Sequence, residues 1–276
     1  MKQKIPFRKQ LRKHLGNIAH KKKSSFPNSL GLRALVYHSV TDKLVENEWE
    51  ENTTPKDLFA RQMKYLADNE YRVISCDQGI EYLINNQHIP PRTVVITFDD
   101  GYRDNYINAL PILKKYSFRA TIFLTADFLR DHSGNMQYLS CSEINDIKNS
   151  GIIDFGCHGL THKALSTLDK ETLKKEIEGS KLKLEGIINN RIALFAYPFG
   201  HSGSYNQKVI DALRSAGFKG AFTSIFGLNH LTTNPFLLRR NRISWLDDLD
   251  EFEKHLLGAY DWCAICECLR PKRYRV

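Results

Sequence analysis

From residue 31 onward, short apolar runs alternate with amphipathic segments, and this alternation limits the fold more than any other feature of the chain. The runs are RALVYH (33–38), RVIS (72–75), TVVITF (93–98), RATIFLTA (119–126), IIDFGCH (152–158), RIALFAYP (191–198), KGAFTS (219–224) and LLRRNRISW (237–245). Between them the 3.6-residue period predicts helices over 53–71, 77–86, 104–117, 142–151, 169–189, 205–217 and 247–260. The first of these opens on a Thr cap and a Pro, and Pro111 has to sit near an end or a kink of its helix. Strands without polar alternation are buried on both faces, as parallel strands with helical crossovers are. Seven or eight such units suit a closed or nearly closed barrel better than an open doubly wound sheet.

Composition excludes little: 42% hydrophobic and 26% charged residues are those of an ordinary globular protein. No stretch approaches the roughly 20 apolar residues of a spanning helix. Residues 1–30 lack an uninterrupted apolar core after their basic start, so no secretory signal is read and the expected compartment is the cytoplasm. Reduced thiols are then expected for the six cysteines. The WCAICEC cluster (Cys263, Cys266, Cys268) has the C-x-x-C step of a zinc site but not its second pair.

Charge divides the chain into a basic N-terminal tail (1–30), a body (31–260) and a Cys-containing basic C-terminal tail (261–276). Residues 1–23 carry nine cations and no acid, and residues 270–276 four more. Against a net charge of +9, those thirteen leave residues 24–269 at about −4. Phe7, Leu11, Leu15 and Ile18 form one stripe of a helix that begins at Pro6, with basic residues on its other faces. Such a segment can lie on an anionic membrane surface, or pack its stripe on the body as a solvated tail. Nucleic acid is not expected as a partner, since no aromatic-interleaved basic groove or recognition motif accompanies the charge.

In a parallel barrel, reactive residues collect where strands end. Four of the predicted strands end in His38, in Asp99-Asp100, in His158 with His162 four residues on, and in Tyr197-Pro198-Phe199-Gly200. Two adjacent buried carboxylates repel, and one would take up a proton unless a cation lay nearby. One Asp with two His makes a three-ligand site that leaves positions open, as catalytic metals require. The other Asp could then accept a proton from the bound water. A helix cap for one Asp, and a plain surface turn for HGLTH, are the alternatives that spacing leaves open.

TFDDGYRDN, CHGLTH and FAYPFG in this order, with YHSV upstream, resemble the polysaccharide deacetylase family, also called the NodB-homology or carbohydrate esterase 4 family. The likeness spans residues 33–245 and is nearest the subgroup that deacetylates poly-N-acetylglucosamine. It implies an α/β fold, a distorted (β/α) barrel of about seven parallel strands. It also implies a divalent metal, commonly zinc with cobalt, nickel or manganese possible, and removal of an N-acetyl group from an amino sugar. By motif, Asp99 would be the general base, Asp100, His158 and His162 the metal ligands, and the Phe199 N–H the oxyanion donor. Tyr102, Tyr197, Pro198 and Arg242 are the substrate-side candidates, with Arg242 a possible orienter of the base.

The chain also departs from the family. Ala196 stands where many members have an arginine that contacts the base, and no late Leu-x-His motif supplies the general acid. His38 is the candidate substitute, ahead of His201 and His230, and His255 fits the motif poorly. The rival readings are a deformylase, esterase or amidase on the same fold, and a non-catalytic glycan-binding or membrane-associated protein. Retention of all four metal-site residues, Asp99, Asp100, His158 and His162, argues against the last. A cytoplasmic enzyme would meet nucleotide- or lipid-linked sugars rather than finished polymer, peripheral at the inner membrane face through residues 1–23.

Overall fold

The computed structural model describes residues 7–23, 31–42, 52–129 and 138–268, with side chains from 12 to 20 in the first stretch and up to 265 in the last. Its strands are β1 (Leu32–Tyr37), β2 (Ser39–Val40), β3 (Thr53–Thr54), β4 (Arg72–Ile74), β5 (Thr93–Asp100), β6 (Ala120–Leu124), β7 (Ile153–Cys157), β8 (Leu194–Ala196), β9 (Gly220–Phe222), β10 (Leu228–Asn229) and β11 (Asn241–Arg242). The sheet runs β1-β5-β6-β7-β8-β9, all parallel, with β10 antiparallel to the outer edge of β1. One edge of β5 is shared, its first half pairing with β4 and its second with β6.

The chain after Asn234 draws the two edges together. Leu238 exchanges hydrogen bonds with β9 (Thr223 N–H to its carbonyl at 2.7 Å, its own N–H to Ala221 at 3.0 Å). Three residues later β11 pairs with β1, Asn241 opposite Leu35 and Arg242 opposite Val36. One short segment therefore spans the seam of a distorted (β/α) barrel, as the alternation predicts.

Strand periodicity sorts the core into two layers. Leu35, Tyr37, Val94, Ile96 and Phe98 face outward under the helices, while Leu32, Ala34, Val95, Phe123, Ala196 and Phe222 face inward. The barrel floor is closed by the helix Cys76–Ile84, whose Ile80 and Leu83 join the inner layer. By the same alternation Thr97 and Asp99 extend the inner face of β5 to its carboxyl end.

Several helices differ from the predicted spans. Thr53 and Thr54 do not cap a helix; they pair with Ser39 and Val40, and the helix begins after Pro55 and runs Lys56–Asp68. The 104–117 segment starts as a π-turn, Asn105–Ala109, before the α-helix Leu110–Tyr116 takes Pro111 in its first turn. The 169–189 helix is interrupted by a second π-turn, Lys175–Gly179. Cys266 and Cys268, on which a metal at WCAICEC would depend, lie outside the residues whose side chains are described.

Candidate active site

Side chains alternate along a strand, so Asp99 and Asp100 ought to face opposite ways. Left-handed backbone at Asp100, φ 74°, breaks the alternation. Asp99 Oδ2 and Asp100 Oδ1 come within 4.0 and 3.5 Å of the same atom, His158 Nε2. The adjacent carboxylates are nonetheless bound differently. Asp99 is gripped bidentately by Arg240, Nη1 to Oδ1 at 2.7 Å and Nη2 to Oδ2 at 2.8 Å, with both residues buried. Asp100 Oδ1 is buried without a hydrogen-bond partner.

Their acidities separate accordingly. Burial alone would raise Asp99, but the charge and hydrogen bonds of Arg240, with His158 nearby, bring it down to about 2. Burial, and then the charge on Asp99, push Asp100 up to about 8. Two like groups with one counter-charge resolve into an ionised carboxylate and one that lacks a cation.

His158 leaves β7 with its Nδ1 2.8 Å from the Ala196 carbonyl of β8, an acceptor that fixes the proton on Nδ1 and leaves Nε2 as a lone pair. His162 Nε2 lies 3.4 Å from Asp100 Oδ1. Burial lowers both imidazoles to about 4, helped at His162 by His158, so both are neutral donors at physiological pH. The loop between them hangs on Glu176, a buried carboxylate in the second π-turn. Its Oε2 accepts from the Leu160 and Thr161 N–H groups, both at 3.0 Å, and its Oε1 accepts from the Thr161 hydroxyl.

Asp100, His158 and His162 thus present three donor atoms within 4.8 Å of one another. Ligands about 2.1 Å from a zinc-sized ion stand about 3.4 Å apart at tetrahedral angles. The observed Asp100 separations of 3.4 and 3.5 Å meet that spacing, and the orphaned Oδ1 lacks only the cation. The residues present fit a divalent metal.

After β8, the strand next to β7, Phe199 has φ 63° and sits in a γ-turn closed by Gly200 N–H to the Pro198 carbonyl at 2.8 Å. Gly200 cannot be replaced easily, because a Cβ there would lie 2.4 Å from Ser224 Oγ. Among the described residues the Phe199 N–H meets no acceptor. Its ring is 54% exposed, edge-on to His162 at 4.8 Å, and continues an aromatic rim through Phe128 and Tyr138 to Tyr102. Asp100, His162 and Phe199 are all non-glycine residues with positive φ, a strain that rigid surroundings have to hold.

Of the other candidates, His38 stands close enough to Asp99, Arg242, Arg240 and His162 to feel their charges, and burial above all lowers it to about 4. Its Nδ1 is buried without a partner. Tyr102 is buried and stacked on Tyr138 at 5.2 Å. Tyr197 belongs to the core instead of a binding surface: it is fully buried, and its hydroxyl donates to the Phe236 carbonyl at 2.9 Å. Pro198 is buried and contributes its carbonyl to the γ-turn. Arg242 is half-buried, and the arginine that grips Asp99 is Arg240, which sequence reasoning missed. Arg240 thus makes a contact to Asp99 of the kind that the resemblance places at position 196, where this chain has Ala196. His255 is remote, between Asp247 and Asn241.

A parallel barrel whose carboxyl rim joins an ionised carboxylate to a convergent Asp-His-His set has the layout of a hydrolase. Residues 86–221, just under half of the chain, match the polysaccharide deacetylase family model. It is 28% identical over 213 residues to the Bacillus subtilis protein YxkH, a polysaccharide deacetylase by name, covering 77% of this chain and 71% of the relative. It is 25% identical over 254 residues to a poly-beta-1,6-N-acetyl-D-glucosamine N-deacetylase of Staphylococcus aureus, covering 89% and 81%. In three dimensions it is similar to the Streptococcus pyogenes deacetylase PplD, with a TM-score of 0.72 at 24% identity over 82% of this chain and 98% of that one.

Proposed function

We propose that the protein is a metal-dependent deacetylase that hydrolyses the N-acetyl group of an amino sugar in a glycan, glycolipid or lipid-linked precursor. The observation that carries this reading is the pairing of a carboxylate kept ionised by Arg240 with three donors converging beside it. A divalent cation held by Asp100, His158 and His162, with zinc the first choice for a two-nitrogen, one-oxygen donor set, would supply Lewis acidity toward the acyl oxygen and its attacking water.

The chain's own groups do the rest. Asp99 accepts the proton of the attacking water, with Arg240 fixing its aim. The Phe199 N–H donates to the acyl oxygen as charge gathers there, a contact typically worth about 3 kcal/mol of barrier. His38, uncharged in the resting site, relays the proton to the departing nitrogen. The exposed Phe199 ring and the rim beyond it offer flat apolar surface to a sugar face.

The test is metal analysis of the purified protein, then acetate release from acetylated monosaccharides, poly-N-acetylglucosamine oligomers and lipid-linked amino sugars. Acetate release that needs the metal and is abolished in Asp99→Asn supports the reading. Turnover only of formyl, ester or non-sugar amide substrates would replace the substrate class, and metal-loaded protein inert on every substrate would refute the enzyme.

A further inference from the structure

The helix α1 (Phe7–Lys23) meets the body through a face other than the one that carries Leu15 and Ile18. Arg12 docks it, with Nη2 3.3 Å from the fully buried Asp247 and the guanidinium over the rings of Tyr260 (5.2 Å) and Phe226 (5.7 Å). Lys13 Nζ reaches the Leu246 carbonyl at 3.0 Å. Gly16 lets the helix lie against Tyr260, where a Cβ would fall 2.4 Å from the ring. At 100° per residue, positions 12, 13 and 16 define one face, and positions 7, 11, 15 and 18 lie on the other side. Leu15 and Ile18 are accordingly 36% and 45% exposed.

Rolling the helix to bury that stripe would strip Asp247 of its arginine, and removing one partner of a buried pair is costly. Among the described residues Leu15 and Ile18 are left partly uncovered, and that apolar surface calls for a further cover. Charge selects which: nine cations and no acid lie within residues 1–23, on a body that is net acidic. An anionic surface attracts the helix and repels the rest, so the two effects favour one orientation. No helix among the described residues is long and apolar enough to cross a membrane.

We propose that α1 is an interfacial anchor that lies along an anionic lipid bilayer, Leu15 and Ile18 inserted among the acyl chains and the flanking lysines and arginines at the headgroups. The anchor is independent of the deacetylase reading.

Sedimentation of the full chain with phosphatidylglycerol-containing vesicles, and with pure phosphatidylcholine vesicles, tests it. Binding is expected to the anionic vesicles only, to weaken as salt rises, and to fall at least about tenfold in the double variant Leu15→Asp, Ile18→Asp. Both positions are exposed, so this variant should keep the wild-type melting temperature, and Asp99→Asn should bind vesicles normally. Undiminished vesicle binding by the double variant would overturn the proposal. So would a concentration-dependent dimer that the double variant abolishes, since a second copy would then cover the stripe.

Discussion

Glu176 lies outside the metal-ligand set, yet its removal should weaken metal binding. The perturbation is Glu176→Ala. It deletes the acceptor for the Leu160 and Thr161 N–H groups and for the Thr161 hydroxyl, and leaves two N–H groups in a part-buried loop. Each unsatisfied buried donor costs about 1–3 kcal/mol, less where water can enter, so the loop loses on the order of 2–4 kcal/mol of local order. That loop ends at His162, held at φ 61°. Groups that position a metal ligand typically contribute 10–100-fold in affinity, about 1.4–2.8 kcal/mol, which fits a partial transfer of the lost order to the ligand. Competition against a chromophoric zinc chelator should show metal affinity reduced by about 10–100-fold, with turnover at saturating metal much less affected. Glu176→Gln is the control. Its amide oxygen can accept both N–H groups while its NH2 donates to the hydroxyl, so affinity should return to within a few-fold. Unchanged zinc affinity in Glu176→Ala would refute the reasoning, as would a glutamine variant no better than alanine.

The other outcomes concern the carboxylates and the acid limb. Asp99→Asn should lower acetate release by about 10²–10⁴-fold while zinc stoichiometry stays unchanged; loss of zinc would mean that Asp99 is itself a ligand. Arg240→Met leaves Asp99 buried without its counter-charge, and calorimetry should show destabilisation of about 3–5 kcal/mol together with lost turnover. Burial would raise Asp247, but His255 above all, then Arg12 and Ser244, hold it well below the usual carboxylate range. A depressed folded pKa stabilises above the unfolded value of about 3.9 and is lost as pH falls through the folded one. Chemical unfolding between about pH 5 and 2 should therefore steepen in the unaltered protein and flatten in Asp247→Asn; parallel profiles would count against the assignment.

Burial pattern carried most of the fold. β1 and β5 are buried at every position, so their apolar runs could be read directly as two-sided strands. The π-turns could not be read, because a single-turn bulge adds one residue to a helix and no residue type marks where it falls. One of them carries Glu176, which explains why its role was invisible in a segment rich in Lys and Glu. The exposure of Leu15 and Ile18 was likewise hidden: a stripe in sequence says that a helix has an apolar face, and only the Arg12 and Gly16 contacts say that this face points away from the body.

The site was legible where chemistry is written in residue types and obscure where it depends on which copy of a residue is used. Asp-Asp and His-x-x-x-His name their atoms, and the structure brings Asp100, His158 and His162 together. Arg240 and Arg242 are two apart, so strand periodicity assigns them to the same face and cannot rank them. Position along the seam ranks them. Arg240, between the Leu238 contact to β9 and the Asn241 contact to β1, is fully buried over the rings of Phe123 and Phe222, where its only anionic neighbour within ion-pair distance among the described residues is Asp99. A buried guanidinium requires a carboxylate, and once Asp99 fills that need, Asp100 is left as the buried carboxylate without a counter-charge, the one that a cation would satisfy. The division of labour between two identical neighbours is therefore set by an arginine on the segment that closes the barrel.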